Sequence, residues 1–196
     1  MNYLAHLFLA EDNPESKIGN LLGDFVKGSL KKYTNIYSEN IIRGIEQHRK
    51  IDAFTDTHEI FCRSKKRIRE QQKHYSGIAI DIYYDHFLSL HWSKFSAEGR
   101  EEFINTIYAI LQANLAILPK NLRAIVPRIQ QENWLNSYQT LSGVHLTLTR
   151  ISRRFKRANP LDRACLDLQA NYREIERDFL SFFPELITYT RELCDR

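Results

Sequence analysis

The stretch GIAIDIYYDHFLSLHW, at residues 77–92, is apolar almost all the way round, yet its middle contains Asp81, Asp85 and His86. Positions four apart on an α-helix lie about 40° from each other, so Asp81 and Asp85 share one face and His86 lies beside it. Two buried carboxylates without partners would be costly in free energy or would have raised pKa values. The stretch therefore predicts a buried helix whose acids face solvent, pair with a basic side chain or bind a cation.

The rest of the chain has a helical pattern as well. Only seven glycines and five prolines occur among 196 residues, which leaves little turn material for a many-stranded sheet. A hydrophobic content of 43% is typical of a globular protein with a core of ordinary size. We predict an all-α protein in which residues 1–196 form a single compact helical domain.

Capping residues and prolines predict where the helices begin and end. A polar N-cap or a proline at the first helical position marks a start, whereas a glycine, or a proline that cannot continue the helix, marks an end. The first predicted helix runs from Pro14 to about Lys27, before Gly28, and the second runs from Ser38 to residue 56. A basic helix follows to about Lys73, and the opening stretch at 77–92 forms the next one. The remaining predicted helices are 96–119, short pieces over 121–139, 140–156, 159–184 and 184–194.

Composition and cysteine usage restrict the class of protein. No apolar run reaches the ~18 residues of a membrane-spanning helix, and the initial MNYLAHLFLAED lacks the basic region of a signal peptide. Cys62, Cys165 and Cys194 are widely spaced and form no CxxC motif, which argues against a disulfide framework or a structural zinc site. We therefore expect a cytoplasmic protein.

Positive charge is concentrated in two segments, CRSKKRIREQQK at 62–73 and TRISRRFKR at 149–157. The net charge of +4 is modest, so the distribution is more informative than the sum. Such clusters suggest an acidic partner, although solvated basic helix faces are equally common.

A second polar stripe lies in EQHRKIDAFTDTH, at residues 46–58. His48, Asp52 and Asp56 follow each other at intervals of four and drift by only about 80° over two helical turns. Imidazole nitrogen and carboxylate oxygen are the ligand types favoured by manganese, magnesium, iron and zinc. The same stripe is also typical of a charged helix face with pairs at i and i+4.

Two further segments place a polar side chain among apolar residues. Asp24 lies in GNLLGDFVKGSL, where Gly19, Gly23 and Gly28 would allow another helix to approach closely; the segment lacks the GxxxxGK[ST] pattern of a phosphate-binding loop. His6, in NYLAHLFLA, is a lone imidazole that is most simply a core residue with a satisfied ring. No GxSxG motif is present. Acids and imidazoles from several helices would suit a metal-dependent phosphohydrolase.

These segments also resemble the landmarks of a known family. MNYLAHLFLA, GNLLGDFVKG, HRKIDAFTD, DIYYDHFLSLHW and the SRR of ISRRFKR occur in the order and approximate spacing of bacterial acyl carrier protein phosphodiesterases, from Met1 to about Pro184. The resemblance implies an all-helical, HD-like metal phosphohydrolase architecture. It also implies hydrolysis of the phosphodiester that links 4'-phosphopantetheine to a serine of holo acyl carrier protein, with a divalent metal, typically manganese, although magnesium, iron or zinc would also fit.

The resemblance carries expectations for individual residues. It implies that the metal ligands are Asp24, His48, Asp85 and His86, and that Asp24 is essential. Asp52 or Asp81 would orient a ligand or act as general base, Arg49 would contact the scissile phosphate, and His6 is a possible additional site residue.

The expected partner is the small, acidic holo acyl carrier protein, with neither a membrane nor nucleic acid involved. A basic docking surface would steer such a partner, and the first candidates for it are Arg150, Arg153, Arg154, Lys156 and Arg157. One alternative is an HD-type nucleotide or cyclic-nucleotide phosphohydrolase. Another is a basic helical adaptor for nucleic acid, which the acids inside apolar helices argue against.

Overall fold

The computed structural model describes residues 1–194, and this part of the chain is helical throughout, with short 3-10 turns and no strand. The all-α prediction is confirmed. The α-helices are α1 (Tyr3–Leu9), α2 (Pro14–Leu22), α3 (Glu39–Thr57), α4 (Glu59–Arg67), α5 (Arg69–Gln72), α6 (Ser76–Leu90), α7 (Arg100–Ala113), α8 (Lys120–Gln131), α9 (Trp134–Ser137), α10 (Leu141–Ser152), α11 (Ala164–Ala170) and α12 (Tyr172–Cys194).

Helix α6, formed by the opening stretch, lies at the centre of the core. Tyr83, Tyr84 and Phe87 have no exposed surface, and the helix packs against α1, α4, α10 and α12. The apolar character on nearly every side is explained by this position, because a helix surrounded by other helices buries all of its faces. The helices around α6 therefore determine which partners its polar residues meet.

Helices α2 and α3 cross at unusually short range because glycines face each other at the crossing. A Cβ atom on Gly19 would lie 2.8 Å from Cα of Gly44, and one on Gly44 would lie 2.6 Å from the carbonyl oxygen of Ser16. The predicted close approach is found at Gly19 and Gly23, but not at Gly28, where a Cβ atom would have no neighbour within 4 Å. The crossing brings the end of α2 against the middle of α3, where His48 and Asp52 lie.

Several helix starts follow the predicted caps, and others do not. The side chains of Asn13 and Ser38 accept hydrogen bonds from Ser16 N–H and Ile41 N–H, as N-caps do. The start at Ser96 is wrong: its hydroxyl accepts from Glu98 N–H in the preceding turn, and α7 begins at Arg100.

Three predicted helix ends are also wrong. Helix α2 stops at Leu22 because the chain turns there, so that Val26 can pack into the core, while Gly28 takes a left-handed conformation with φ of 79°. The predicted basic helix up to Lys73 is divided at Ile68, whose buried side chain ends α4. Helix α12 continues through Pro184 without a break.

The continuation through Pro184 has a packing explanation. A proline inside a helix costs about 3 kcal/mol. Phe182, Phe183 and Leu186, on both sides of Pro184, are all fully buried, and each contributes roughly 1.5–3 kcal/mol relative to an exposed position. Burial therefore outweighs the local preference for a helix end.

The first of the two basic segments is partly used inside the protein. Asp178 of α12 is buried, and its two carboxylate oxygens accept hydrogen bonds from Arg63, Arg67 and Ser64 of α4. These bonds tie α4 to α12, so two of the predicted surface cations belong to a structural network.

Two of the three cysteine side chains lie in the described part of the structure. Cys62 and Cys165 are free thiols, and the side chain of Cys194 lies outside the described part of the structure. Among the described helices, none combines the length and the apolar character that crossing a membrane would require.

Candidate metal centre

Three side chains, His6 of α1 and His48 and Asp52 of α3, lie together next to the C-terminal end of α2. We call them the His–Asp cluster. Asp52 accepts from both imidazoles: Oδ1 lies 3.1 Å from Nε2 of His6 and Oδ2 lies 3.1 Å from Nε2 of His48. The two rings are stacked, with centroids 3.8 Å apart. One ligand atom from each residue lies within 4.8 Å of the others, which is close enough for one ion to contact all three.

Glycine explains how His48 reaches this position. Its ring lies directly against the backbone of Gly23, and a Cβ atom on Gly23 would overlap the ring atoms. Both imidazoles are buried, and their Nδ1 atoms have no hydrogen-bond partner among the described residues. Their Nε2 atoms are therefore the ones presented to the carboxylate.

The protonation states suit metal binding. Burial lowers the pKa of His6 to about 3, more than the neighbouring Asp52 raises it, so the imidazole is neutral. Burial acts to raise the pKa of Asp52, but hydrogen bonds from His48 and His6 and the positive amino group of Met1 hold it well below its usual range. A neutral imidazole, as at His6, and an ionised carboxylate, as at Asp52, are forms that ligate metals.

A fourth donor lies at the solvent side of the cluster. Oδ1 of Asp24 is 3.8 Å from Nε2 of His48, and about half of the Asp24 side chain is exposed. Asp24 follows directly after the close α2–α3 crossing, which explains how a residue in a short turn reaches α3. Two imidazole nitrogens and two carboxylates are a donor set that fits manganese, iron or zinc.

The amino group of Met1 connects the cluster to α6. It lies 3.2 Å from Oδ1 of Asp52 and 3.1 Å from Oδ1 of Asp81. Burial raises the pKa of Asp81 to about 6, although the amino group opposes this rise. Asp81 is thus a carboxyl group near the cluster that can exchange a proton close to neutral pH.

Asp85, one turn beyond Asp81, is turned towards α1 instead. Its Oδ2 accepts a hydrogen bond of 2.9 Å from Leu4 N–H, and its Oδ1 accepts one of 3.1 Å from Ala5 N–H. The N-cap residue of α1, Asn2, makes no capping bond with its side chain. Asp85 therefore takes the place of a cap and fixes the helix that carries His6.

His86 is not brought to the cluster either. Its Nδ1 donates to the carbonyl of Tyr138, at 2.7 Å, and its Nε2 accepts from the hydroxyl of Tyr172, at 2.9 Å. Burial lowers the pKa of His86, which favours this neutral form. Both ring nitrogens are engaged, so this geometry leaves no lone pair for an ion.

Arg49 points away from the cluster. Its guanidinium donates to the carbonyl of Val26, at 3.1 Å, and the residue borders a different hollow, next to Leu30 and Lys50. Adjacent positions on a helix are about 100° apart, so the presence of His48 in the cluster already directs Arg49 elsewhere. In this position Arg49 holds the segment between α2 and α3.

A pocket of about 390 Å³ adjoins the cluster, and we call it the arginine pocket. Asp24, Asp81 and Met1 border it on the cluster side, and Arg150 of α10 and Arg154, in the turn after α10, border it as well. The other three cations of the predicted docking surface are exposed and do not line it. They are Arg153, Lys156 and Arg157.

The sequence left His6 open between a core residue with a satisfied ring and an additional site residue, and the structure places its ring in the His–Asp cluster. One feature of this site was missed. No sequence pattern could predict the contacts of the Met1 amino group with Asp52 and Asp81, because this group belongs to the main chain and not to a particular type of side chain.

Comparisons with known proteins identify the family of this chain. The family model for acyl carrier protein phosphodiesterase matches residues 1–186. Curated relatives with that name include one from Photorhabdus laumondii, 30% identical over 95% of this chain and 93% of its own length, and one from Enterobacter, 31% identical over 97% and 98%. A relative from Salmonella agona is 30% identical over 95% of this chain and 96% of its own.

No solved structure matches the chain significantly. The family model matches residues 1–186, from before α1 into α12, and this range includes every residue of the cluster and of the pocket. The chain belongs to the acyl carrier protein phosphodiesterase family.

Proposed function

We propose that this protein hydrolyses the phosphodiester that links 4'-phosphopantetheine to a serine of holo acyl carrier protein, and that it does so with a divalent metal. The observation that carries the proposal is the His–Asp cluster, which lies beside a pocket bordered by two arginines. The names of the relatives support the choice of substrate.

The proposed ligands are His6, His48, Asp52 and Asp24. Manganese is our first choice of ion, and magnesium, iron or zinc are alternatives. When bound, a divalent ion supplies charge that polarises a phosphoryl group and makes hydroxide available near neutral pH. Asp85 and His86 are not included, because their polar atoms are engaged with α1 and with two tyrosines.

The residues of the chain have distinct roles in this proposal. Asp52 lies between the two imidazoles, so that one ion could take an oxygen from it and a nitrogen from each ring. Asp81 is the proposed general base, because burial raises the pKa of its carboxyl group to about 6, close to the pH at which it must take a proton from water. Asp85 is a positioning residue that acts on His6 through the backbone of α1.

The partner surface is proposed from charge. Arg153, Lys156 and Arg157 are exposed, and none of them has a carboxylate partner within residues 1–194. An acidic carrier protein would be attracted to such a surface and oriented by it. The HD-like relationship of the fold and a cytoplasmic location remain predictions.

The test is mass analysis of holo acyl carrier protein after incubation with the purified protein, with and without manganese. We expect the mass to fall to that of the apo form only when manganese is present. An unchanged mass under both conditions would contradict the proposal, and turnover of a nucleotide panel instead would favour the HD-type nucleotide phosphohydrolase.

A further inference from the structure

The basic run of α10 and the segment after it divides into two groups. Arg150, in the last turn of α10, and Arg154, in the turn that follows the helix, both border the arginine pocket, whereas Arg153 does not line it. Two of the cations therefore face the pocket, and the neighbouring Arg153 does not.

The two pocket arginines also differ from each other. Arg150 is ion-paired with Glu132, and its guanidinium lies 4.9 Å from the ring centroid of Trp134. Its charge is compensated and its position is fixed. Arg154 is exposed and contacts the hydroxyl of Tyr3, and it has no carboxylate partner among residues 1–194. Its charge is the one available to an anion in the pocket.

Arg154 is close to the proposed metal centre through Tyr3. The charge of Asp24 acts to raise the pKa of this tyrosine, and the charge of Arg154 acts to lower it, although burial is the larger influence. Both charged groups therefore lie near the same side chain. An anion held by Arg154 would lie between this guanidinium and the Asp24 side of the cluster.

The remainder of the pocket suits a narrow chain with few polar groups. Its walls include the apolar side chains of Ile82, Trp134 and Ile151 and the polar side chains of Asn121 and Thr147. Its volume of about 390 Å³ is within the range of sites that enclose a small organic ligand. A phosphate ester with an extended amide-containing chain combines the charge and the shape that this pocket offers.

We propose that the arginine pocket binds the phosphopantetheine arm of the substrate, with the scissile phosphate on Arg154 and the pantetheine chain along Trp134 and Thr147. This inference rests on the proposed function for the identity of the ligand. It separates the prosthetic group from the protein: Arg154 contacts the arm, whereas Arg153, Lys156 and Arg157 contact the carrier protein.

The test is isothermal titration calorimetry with free 4'-phosphopantetheine and, separately, with pantetheine, which lacks the phosphate. We expect Arg154→Ala to weaken binding of phosphopantetheine by about 10- to 100-fold, as expected for the loss of a hydrogen bond to a charged group, and to leave the weak binding of pantetheine unchanged. Arg154→Lys should recover part of the loss.

Arg153→Ala is the matched control, because it removes the same charge from the next position on the segment. We expect it to bind free phosphopantetheine as the wild type does, but to show a raised KM for holo carrier protein. Equal losses of phosphopantetheine binding in Arg153→Ala and Arg154→Ala would overturn the assignment, as would wild-type binding by Arg154→Ala.

A second variant tests the location independently of charge. Thr147→Phe should fill the pocket and abolish binding of both ligands, while manganese binding and the circular dichroism spectrum stay unchanged. Binding of phosphopantetheine by Thr147→Phe at wild-type strength would contradict the pocket. If holo carrier protein stays intact but phosphopantetheine binding depends on Arg154, the proposed function fails and the pocket assignment stands.

Discussion

Asp52 is the residue on which the proposed metal centre depends most. It is the one side chain in the His–Asp cluster that lies within hydrogen-bond distance of both of the others, because each of its oxygens faces one imidazole. Its depressed pKa shows the same dependence, since the hydrogen bonds from His48 and His6 and the Met1 amino group together outweigh the effect of burial.

Asp52→Asn should therefore weaken manganese binding. An amide keeps the size of the side chain but loses the charge, and its nitrogen cannot ligate, so we expect affinity to fall by at least about 10- to 100-fold, the loss seen when even the groups that support metal ligands are changed. Equilibrium dialysis with manganese measures this change. Asp56→Asn, one turn further along α3 and exposed, is the control and should bind as the wild type does.

Residue periodicity could predict part of this site and no more. It placed Asp81 and Asp85 on one face of α6, and both are buried or half-buried side chains near α1. It could not predict that Asp81 contacts the amino group of Met1 while Asp85 caps α1. That difference depends on where the first residues of α1 lie relative to α6. The resemblance to the family grouped His86 with the ligands, although the Tyr138 carbonyl and the Tyr172 hydroxyl engage both nitrogens of its ring.

At the scale of elements, the crossing of α2 and α3 determines whether the site can form. Gly19 and Gly44 allow the backbones to touch, and Gly23 leaves the space that the His48 ring fills. The predicted close approach was correct at Gly19 and Gly23 because the absence of a Cβ is readable in a sequence. Helix ends such as Pro184 were less predictable, since burial of distant side chains determines them.

Gly23→Ala should disable the site without unfolding the protein. The new methyl group would overlap the His48 ring, so the imidazole must rotate away from Asp52. We expect loss of manganese binding and of activity, with destabilisation of roughly 1–3 kcal/mol from overpacking. Urea unfolding and metal titration measure the two effects. Gly99→Ala, where a Cβ would make only an ordinary contact with Glu102, should leave metal binding unchanged.

The link between α4 and α12 should make stability depend on pH. Burial acts to raise the pKa of Asp178, but Arg63, Arg67 and Ser64 hold it below its ordinary value. A carboxylate with a depressed pKa stabilises the fold above the ordinary pKa of about 4, and this contribution is lost as the pH falls below that value.

Asp178→Asn should therefore lower the free energy of unfolding at pH 7 by about 1–3 kcal/mol. The difference from the wild type should shrink at pH 3, because the wild-type carboxylate is then losing its own contribution. Urea unfolding at both pH values measures this, with the exposed Asp162→Asn as control. A difference that is the same at both values would contradict the role given to Asp178.

At the scale of the whole molecule, charge is distributed so that one side can attract an acidic protein. The net charge is only +4, yet exposed cations follow α10 directly beside the arginine pocket. An attraction of this kind accelerates encounter and weakens with added salt, because ions screen exposed charges over about 8–10 Å.

Arg157→Glu should lower kcat/KM for holo carrier protein at low ionic strength by about 10-fold or less, through slower association. The difference from the wild type should diminish as salt is added. Steady-state kinetics at several salt concentrations measure this. Arg191→Glu is the control, because Arg191 borders a hollow with Leu9 and Ala10 at the opposite end of α1 from the arginine pocket, and it should have a much smaller effect.

The hydrogen bonds from Leu4 and Ala5 to Asp85 have a consequence for folding. Helix α1 has only seven residues, and an isolated helix of this length is unstable in water. Its N–H groups are therefore protected from hydrogen–deuterium exchange only while α1 is docked on a residue 80 positions away in the sequence. Slow exchange at Leu4 and Ala5 thus reports that His6 has reached Asp52, which makes these two amides a direct measure of how much of a sample has an assembled site.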